Sequence, residues 1–155
     1  MTADYAQILK LAARFLAIRP RSGKEITDYL HTKTSDLEIL SQLLLKLTDL
    51  KLINDVEFTR WYVESRSRTN PRSVRLLQQE LLAKGIDRQT ITDQLAALNE
   101  ASLARQALIK KQRSWSRFSA TDRRLKASRF LAARGFSWNV IEPILKEEYN
   151  KTHVN

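Results

Sequence analysis

The sequence predicts an all-helical protein made of three tandem three-helix repeats that form an elongated, curved array. One turn pattern recurs about every fifty residues, each time between two apolar runs with helical spacing. The chain contains only three glycines and three prolines among its 155 residues, which leaves room for few loops and no flexible linker. The three copies of the turn pattern are Lys33-Thr34-Ser35-Asp36, Lys84-Gly85-Ile86-Asp87 and Arg134-Gly135-Phe136-Ser137.

Each copy of the turn pattern is expected to end one helix and start the next. A basic residue closes the first helix, and the second position (Thr34, Gly85 or Gly135) is expected to adopt a left-handed backbone conformation. The Asp or Ser at the fourth position is suited to cap the following helix. The pattern therefore predicts a tight helix-turn-helix connection in every repeat.

The register between the copies extends beyond the turn. Steps of 51 and then 50 residues take Leu30 to Leu81 and to Leu131. Units of this length are too small to bury a core alone and gain stability by stacking on one another. The predicted repeats are residues 1–54, 55–99 and 100–149, followed by a C-terminal tail over residues 150–155.

The first repeat is predicted to contain helices over about residues 4–18, from Ser22 onwards, and over residues 37–50. Ser22 and Glu25 form a capping box, which fixes the start of the second helix. In the second repeat, Asp55 is expected to cap a helix that runs through Tyr62. Helices over residues 73–84 and 87–98 follow.

The third repeat is predicted to contain helices over residues 100–109, 119–134 and 137–149. Pro143 lies inside the last of these and should kink it or delay its start. The spacing of Phe136 and Ile141 is that of a hydrophobic staple, on which Trp138 is expected to pack. Ile86 and Ile91 have the same spacing in the second repeat.

Positive charge is unevenly distributed along the chain, whose net charge is +10. Clusters of like charge with few acidic neighbours favour a polyanionic or acidic partner, although single members are also compatible with a solvated surface. The candidate partner-binding or DNA-binding residues lie in two clusters. The first contains Arg66, Arg68, Arg72 and Arg75, and the second contains Lys110, Lys111, Arg113, Trp115, Arg117, Arg123, Arg124, Lys126 and Arg129.

Trp115 differs from the other candidates because it is aromatic and lies between two arginines, Arg113 and Arg117. An exposed indole there could stack on a nucleic-acid base or insert into a partner's pocket. It could equally fill the junction between the second and third repeats. The sequence leaves both alternatives open.

Several functional classes find no support in the sequence. The absence of cysteine excludes disulfides and thiolate chemistry, and His31 and His153 lack the neighbouring ligands of a metal site. The glycines are isolated, so no phosphate-binding loop is expected, and no serine has a histidine and carboxylate arranged as a triad. We therefore expect a cytoplasmic, monomeric protein without enzymatic activity, cofactor, metal or membrane-spanning segment.

Three blocks of residues, in order along the chain, form a family signature. They are Leu52-Ile53-Asn54-Asp55 with Phe58, Trp61, Tyr62 and Arg66; Arg72-Ser73 with Glu80-Leu81 and Lys84-Gly85-Ile86; and Phe130-Leu131 with Arg134-Gly135-Phe136-Ser137 and Ile141. Through these blocks the sequence resembles the RecX family of regulatory proteins over nearly its whole length, and Asn54 and Thr59 depart conservatively from the family pattern. That resemblance implies tandem three-helix repeats that bind the RecA recombinase filament in its helical groove and modulate, usually inhibit, its assembly and strand exchange.

Direct nucleic-acid binding is the alternative function. The short turns at Gly85 and Gly135 are similar to those of helix-turn-helix domains. The helices that follow them carry few basic residues outside their apolar stripe, namely Arg88 in one and Lys146 in the other. A recognition helix usually presents several hydrogen-bond donors to the bases, so we favour the RecA filament as the partner.

Overall fold

The computed structural model describes the backbone of residues 4–153 and the side chains of residues 4–148. This part of the chain is helical throughout and contains no strand, which confirms the predicted fold class of tandem helical repeats. The helices are α1 (Tyr5–Ile18), α2 (Gly23–His31), α3 (Leu37–Asp49), α4 (Asp55–Thr69), α5 (Val74–Ala83), α6 (Arg88–Leu95), α7 (Glu100–Gln112), α8 (Ala120–Ala133) and α9 (Trp138–His153).

The helix starts follow the capping residues that the sequence predicts. Ser22 Oγ accepts from the Glu25 N–H at 3.1 Å, and the Glu25 carboxylate accepts from the Ser22 N–H at 3.0 Å, so the capping box is present. Asp36 caps α3 by accepting from two backbone N–H groups, and Asp87 caps α6 by accepting from the Thr90 N–H at 2.9 Å. Local sequence thus determines where these helices begin.

The predicted left-handed backbone conformation is confirmed at Gly85 and Gly135, and the same prediction is wrong at Thr34. Gly85 has φ of +79° and Gly135 has φ of +88°, a conformation that costs glycine little because it has no Cβ. Among the described residues, Lys51 is the one non-glycine residue with positive φ. Thr34 instead accepts from the Asp36 N–H through its hydroxyl at 3.0 Å, so a side-chain hydrogen bond forms the first turn.

The chain forms two compact units, each with its own core. The first comprises Met1–Tyr62 and Glu80–Gln94, and the second comprises Val63–Gln79 and Leu95–Asn155. Helices α4 and α5 therefore contribute residues to both units. The core of the first unit includes Ile8, Ala12, Ile26, Leu30, Leu40, Leu43 and Leu47. The core of the second unit includes Leu103, Ala104, Ala107, Leu108, Trp115, Ala127, Leu131, Phe136, Ile141, Ile144 and Leu145.

Two matching tripeptides, Ile53-Asn54-Asp55 and Leu98-Asn99-Glu100, join consecutive repeats; we call them the clasps. In each clasp the Asn side chain caps its own helix, α4 or α7. The acidic residue instead accepts a hydrogen bond from the first N–H of the preceding repeat's middle helix: Asp55 from Gly23 at 2.7 Å, and Glu100 from Val74 at 2.8 Å. The expectation that Asp55 caps α4 is therefore wrong, because Asn54 takes that position and frees Asp55 to reach α2.

A half-buried carboxylate, that of Glu25, connects four segments of the first unit. Its oxygens accept hydrogen bonds from Arg19 at 2.9 and 3.2 Å, from Lys84 at 2.8 Å and from the Ser22 N–H. The Arg19 guanidinium also lies 5.8 Å from the centre of the Trp61 ring. Burial alone would raise the pKa of Glu25, but these hydrogen bonds outweigh burial and lower its pKa to about 2.

The third repeat differs from prediction in three places. Helix α7 continues to Gln112 and is followed by a turn of 3₁₀ helix over Arg113–Trp115. Helix α9 begins at Trp138, so Pro143 does not delay its start, and it continues to His153 through part of the predicted tail. Trp138 is 53% exposed and does not belong to the core that contains Phe136 and Ile141, so it is not buried on the staple as predicted. Residues 154 and 155 of that tail lie outside the described residues.

Candidate partner-binding surface

The net positive charge of the protein resides entirely in the second unit. That unit contains 16 lysines and arginines against 6 acidic residues, whereas the first unit contains 11 of each. All thirteen candidate residues predicted from the sequence belong to the second unit. A concentration of like charge in one compact unit produces a positive potential that attracts anionic partners.

The first basic cluster begins at the C-terminal end of α4. Arg66 is half-buried and interacts within the protein, whereas Arg68 is exposed. Arg72 donates from Nε to the Asn70 carbonyl at 3.3 Å and is also half-buried. Arg75 is exposed on α5. The first cluster therefore combines two arginines that are engaged within the fold with two that are exposed to solvent.

The fold brings the first basic cluster to the C-terminal end of α7. Lys110 donates from Nζ to the backbone carbonyl of Arg68. Burial lowers the pKa of Arg134, and the neighbouring positive charge of Arg72 lowers it further. The Arg134 guanidinium lies 5.0 Å from the centre of the Phe130 ring. A cleft of about 100 Å³ between these segments is lined by Lys110, Lys111, Phe130, Arg134 and residues 69–71.

The second basic cluster continues along the 3₁₀ turn and α8. Arg113, Arg117, Arg124 and Arg129 are exposed, and Arg123 is half-buried. Lys126 is half-buried and its ammonium lies 4.4 Å from the centre of the Phe118 ring, which is a cation–π contact. Because most of these side chains reach solvent, they are available to an acidic or polyanionic partner.

Trp115 does not belong to this surface: of the two alternatives that the sequence left open, the exposed anchor is wrong. Its side chain is only 9% exposed and packs in the core of the second unit. The ring meets Phe130 edge-on, with 5.8 Å between the centroids. The 3₁₀ turn rotates the indole inwards, so Trp115 packs between the helices of the third repeat and leaves its flanking arginines outside.

A cavity of about 390 Å³, which we call the third-repeat cavity, lies among α7, α8 and α9. Its apolar lining comes from Leu108, Trp115, Ala127 and Leu145, which are all buried core residues. Charged side chains also line it, namely Arg113, Arg123, Arg124 and Glu148. No sequence pattern indicates this cavity, because its lining combines residues of α7, the 3₁₀ turn, α8 and α9 that are distant in sequence.

Neither a metal centre nor a membrane span is found in the described part of the chain. No group of His, Asp or Glu side chains there is arranged to hold a metal ion. None of the described helices is both long and apolar enough to cross a bilayer. His31 is exposed at the end of α2, and the side chain of His153 lies outside the described residues.

Comparison with known proteins places this arrangement of helices in a family. Residues 54–95 match the family model described as RecX, second three-helix domain, and residues 99–145 match RecX, third three-helix domain. The regulatory protein RecX of Bacillus pumilus strain SAFR-032 is 34% identical in an alignment of length 145 that covers 90% of this chain and 54% of that protein. That of Bacillus subtilis strain 168 is 32% identical over 142 residues, 88% of this chain and 53% of that protein.

A solved structure agrees with these sequence matches. The crystal structure of RecX from Lactobacillus salivarius superposes with a TM-score of 0.75 at 25% identity, covering 92% of this chain and 95% of that one. This chain spans about half the length of the curated relatives it matches, which are named regulatory proteins. The sequence matches and the shared fold agree that this chain belongs to the RecX family.

Proposed function

We propose that this chain is a regulator that binds the RecA nucleoprotein filament in its helical groove and inhibits its assembly, ATPase and strand-exchange activities. In this role it acts as a cytoplasmic monomer in DNA repair, homologous recombination and the SOS response. It contributes no enzymatic chemistry and needs no cofactor. Membership of the RecX family supports the regulatory role.

One observation about the charges carries the proposal. The second unit holds 16 basic residues against 6 acidic residues, so it is the part of the chain suited to a filament of protein and DNA. A nucleoprotein filament offers phosphates as well as acidic side chains, and both attract exposed guanidinium and ammonium groups. Because Trp115 is buried, we assign the binding energy to charged contacts and not to an aromatic anchor.

The test compares two triple charge reversals of equal size. Lys111→Glu with Arg117→Glu and Arg129→Glu changes three exposed residues of the second unit. The matched control changes three exposed residues of the first unit, Lys10→Glu, Arg14→Glu and Lys46→Glu, and alters the net charge by the same amount.

The readouts are inhibition of the DNA-dependent ATPase of RecA and binding to preformed filaments. We expect the first variant to lose at least tenfold in apparent affinity and the control less than threefold. Equal losses of affinity in the two variants would show that only the total charge matters. If neither variant changed the inhibition, the basic surface would have no part in binding the filament. Circular dichroism checks that both variants stay folded, since exposed charges contribute little to stability.

Direct DNA binding is the second candidate, and the helices that follow the tight turns argue against a recognition-helix mode. Arg88 is the one basic residue of α6. On α9, Lys146 pairs with Glu142 at 3.1 Å, and Glu147 pairs with Arg105 at 3.1 Å. Among the side chains that the structure describes, neither helix presents the row of free donors that reads bases in the major groove.

Salt dependence separates the two candidates. If the chain binds single-stranded DNA through phosphates, the logarithm of its affinity falls with the logarithm of salt by about 0.7 per neutralised phosphate. We expect weak binding to bare single strands and much tighter binding to RecA-coated strands at the same salt. Equal affinity for the two would favour the DNA-binding alternative.

A further inference from the structure

The two clasps reveal a recurrent docking mode within the protein. Ile53 lies 3.4 Å from the position that a Cβ on Gly23 would occupy, and Asp55 accepts from the Gly23 N–H. In the second unit, Leu98 packs against the core while Glu100 accepts from the Val74 N–H. In both cases a carboxylate at the start of a helix accepts from the first N–H of the preceding repeat's middle helix, and the aliphatic residue two positions earlier packs against an apolar core.

The third repeat has an equivalent position, and arginines occupy it. Gly23 and Val74 each lie seven residues before a fully buried leucine, Leu30 or Leu81. Seven residues before the corresponding Leu131 stands Arg124, and Arg123 precedes it. Both arginines line the third-repeat cavity.

The start of α8 explains why arginines suit this position. Helix α8 begins at Ala120, about one turn earlier in register than α2 and α5. The Arg123 N–H is therefore already engaged, donating to the Ser119 carbonyl at 2.8 Å. A docking carboxylate finds guanidinium groups there in place of a free backbone N–H, and such charged donors bind carboxylates more strongly.

The cavity also offers the apolar half of the clasp contact. Leu108, Trp115, Ala127 and Leu145 form its floor, and buried core residues likewise contact the aliphatic residue of each clasp. Its volume of about 390 Å³ is in the range of binding cavities, roughly 300–1,000 Å³, and exceeds what a packing defect leaves. An aliphatic side chain matches the floor, and a carboxylate matches the arginines of the lining, which outnumber its one acidic residue, Glu148, by three to one.

We propose that the third-repeat cavity binds the start of an amphipathic helix of a partner protein, one that carries an aliphatic residue followed two positions later by Asp or Glu. The aliphatic side chain enters the apolar floor, and the carboxylate pairs with Arg123, whereas Arg124 already interacts within the protein. The internal clasps indicate the spacing of two positions between the partner's aliphatic and charged residues, and the arginines of the lining indicate that the partner's charged residue is acidic. This inference goes beyond the proposed function, because it does not depend on RecA.

The test uses the protein's own clasp as the probe. A fluorescein-labelled, end-capped peptide of residues 52–65 contains the first clasp and carries three acidic residues against one arginine. We expect saturable binding to the full chain by fluorescence anisotropy. The control peptide carries Ile53→Ser and Asp55→Asn, and we expect it to bind at least tenfold more weakly.

Variants of the protein localise the binding. Arg123→Glu should lower the affinity for the peptide at least tenfold. Arg129→Glu, which changes an exposed residue of the same helix outside the cavity, should change that affinity less than twofold. Ala127→Met fills the floor and should also weaken binding; circular dichroism shows whether it folds. If it does not fold, the Arg123→Glu result decides alone.

Three results would overturn the proposal. The first is no saturable binding of the peptide, and the second is equal loss in Arg123→Glu and Arg129→Glu, which would indicate non-specific charge attraction. The third is a concentration-dependent dimer, seen by analytical ultracentrifugation, that both the peptide and Arg123→Glu dissociate. That result would assign the cavity to a second copy of the chain and not to a partner protein.

Discussion

Replacing the half-buried Glu25 with glutamine should destabilise the protein in a pH-dependent way. The structure lowers the pKa of Glu25 from an ordinary 4.5 to about 2. Each pKa unit corresponds to about 1.4 kcal/mol, so the ionised form contributes about 3 kcal/mol to folding at pH 7. Its side chain is only 16% exposed, so solvent screens these ion pairs less than it would at the surface. We therefore expect Glu25→Gln to lower the free energy of unfolding by about 2–3 kcal/mol at pH 7.

The sign of the pH dependence follows from the direction of the shift. Because the folded-state pKa of Glu25 is lowered, its contribution is complete above about pH 4.5 and is lost as the pH falls towards 2. The destabilisation caused by Glu25→Gln should therefore fall to about half by pH 3. Urea unfolding followed by circular dichroism at pH 7 and pH 3 measures both values.

The exposed Glu38 supplies the control for this comparison. Glu38→Gln should cost less than about 1 kcal/mol, because exposed charges at a helix start contribute little. A destabilisation by Glu25→Gln that is the same at pH 7 and pH 3 would refute the reasoning. It would mean that shape and hydrogen bonding, and not the charge, make Glu25 important.

Three further perturbations test the repeat connections. Gly135→Ala should cost about 2 kcal/mol or more, since φ is +88° and the added Cβ would meet a Ser73 hydroxyl and lie 2.6 Å from Leu76 Cγ. Gly23→Ala is its control and should change unfolding by under about 0.5 kcal/mol, because its Cβ meets ordinary contacts at 3.4 Å or more. Removing either clasp carboxylate, by Asp55→Asn or Glu100→Gln, should cost about 1 kcal/mol in denaturant unfolding; a cost confined to one clasp would argue that the two contacts are not equivalent. Trp115→Ala should lower the free energy of unfolding by about 3–5 kcal/mol, as for other buried aromatic residues. An almost unchanged melting temperature would contradict the burial of Trp115 in the core.

Features that depend on neighbouring residues could be predicted from the sequence. The capping box at Ser22 and the caps at Asp36 and Asp87 form hydrogen bonds across two or three positions, so the amino-acid pattern contains all the atoms that matter. The turns at Gly85 and Gly135 are local for the same reason. This is why the helix order and most helix starts agree with the structure.

Features that depend on distant residues could not be predicted in the same way. Asp55 reaches Gly23 across 32 positions, and local reasoning assigned it a capping role that Asn54 fulfils. Trp115 is buried because a 3₁₀ turn directs it inwards, and its polar, basic neighbours gave no sign of that. The basic clusters could be listed from the sequence, but only the fold shows that Lys110 meets the end of α4 and that all the net charge lies in one unit.

The uneven charge has a consequence for the speed of binding. A molecule with one neutral unit and one strongly cationic unit experiences an orienting torque in the electric field of a polyanion. A molecule whose charge is evenly distributed experiences mainly a net attractive force. The torque turns the cationic unit forwards before contact, so a larger share of collisions begins in a productive orientation. Added salt removes this advantage before it breaks close contacts, so it should slow association more than it hastens release. A regulator of this kind reaches its target quickly even when the final contacts are modest.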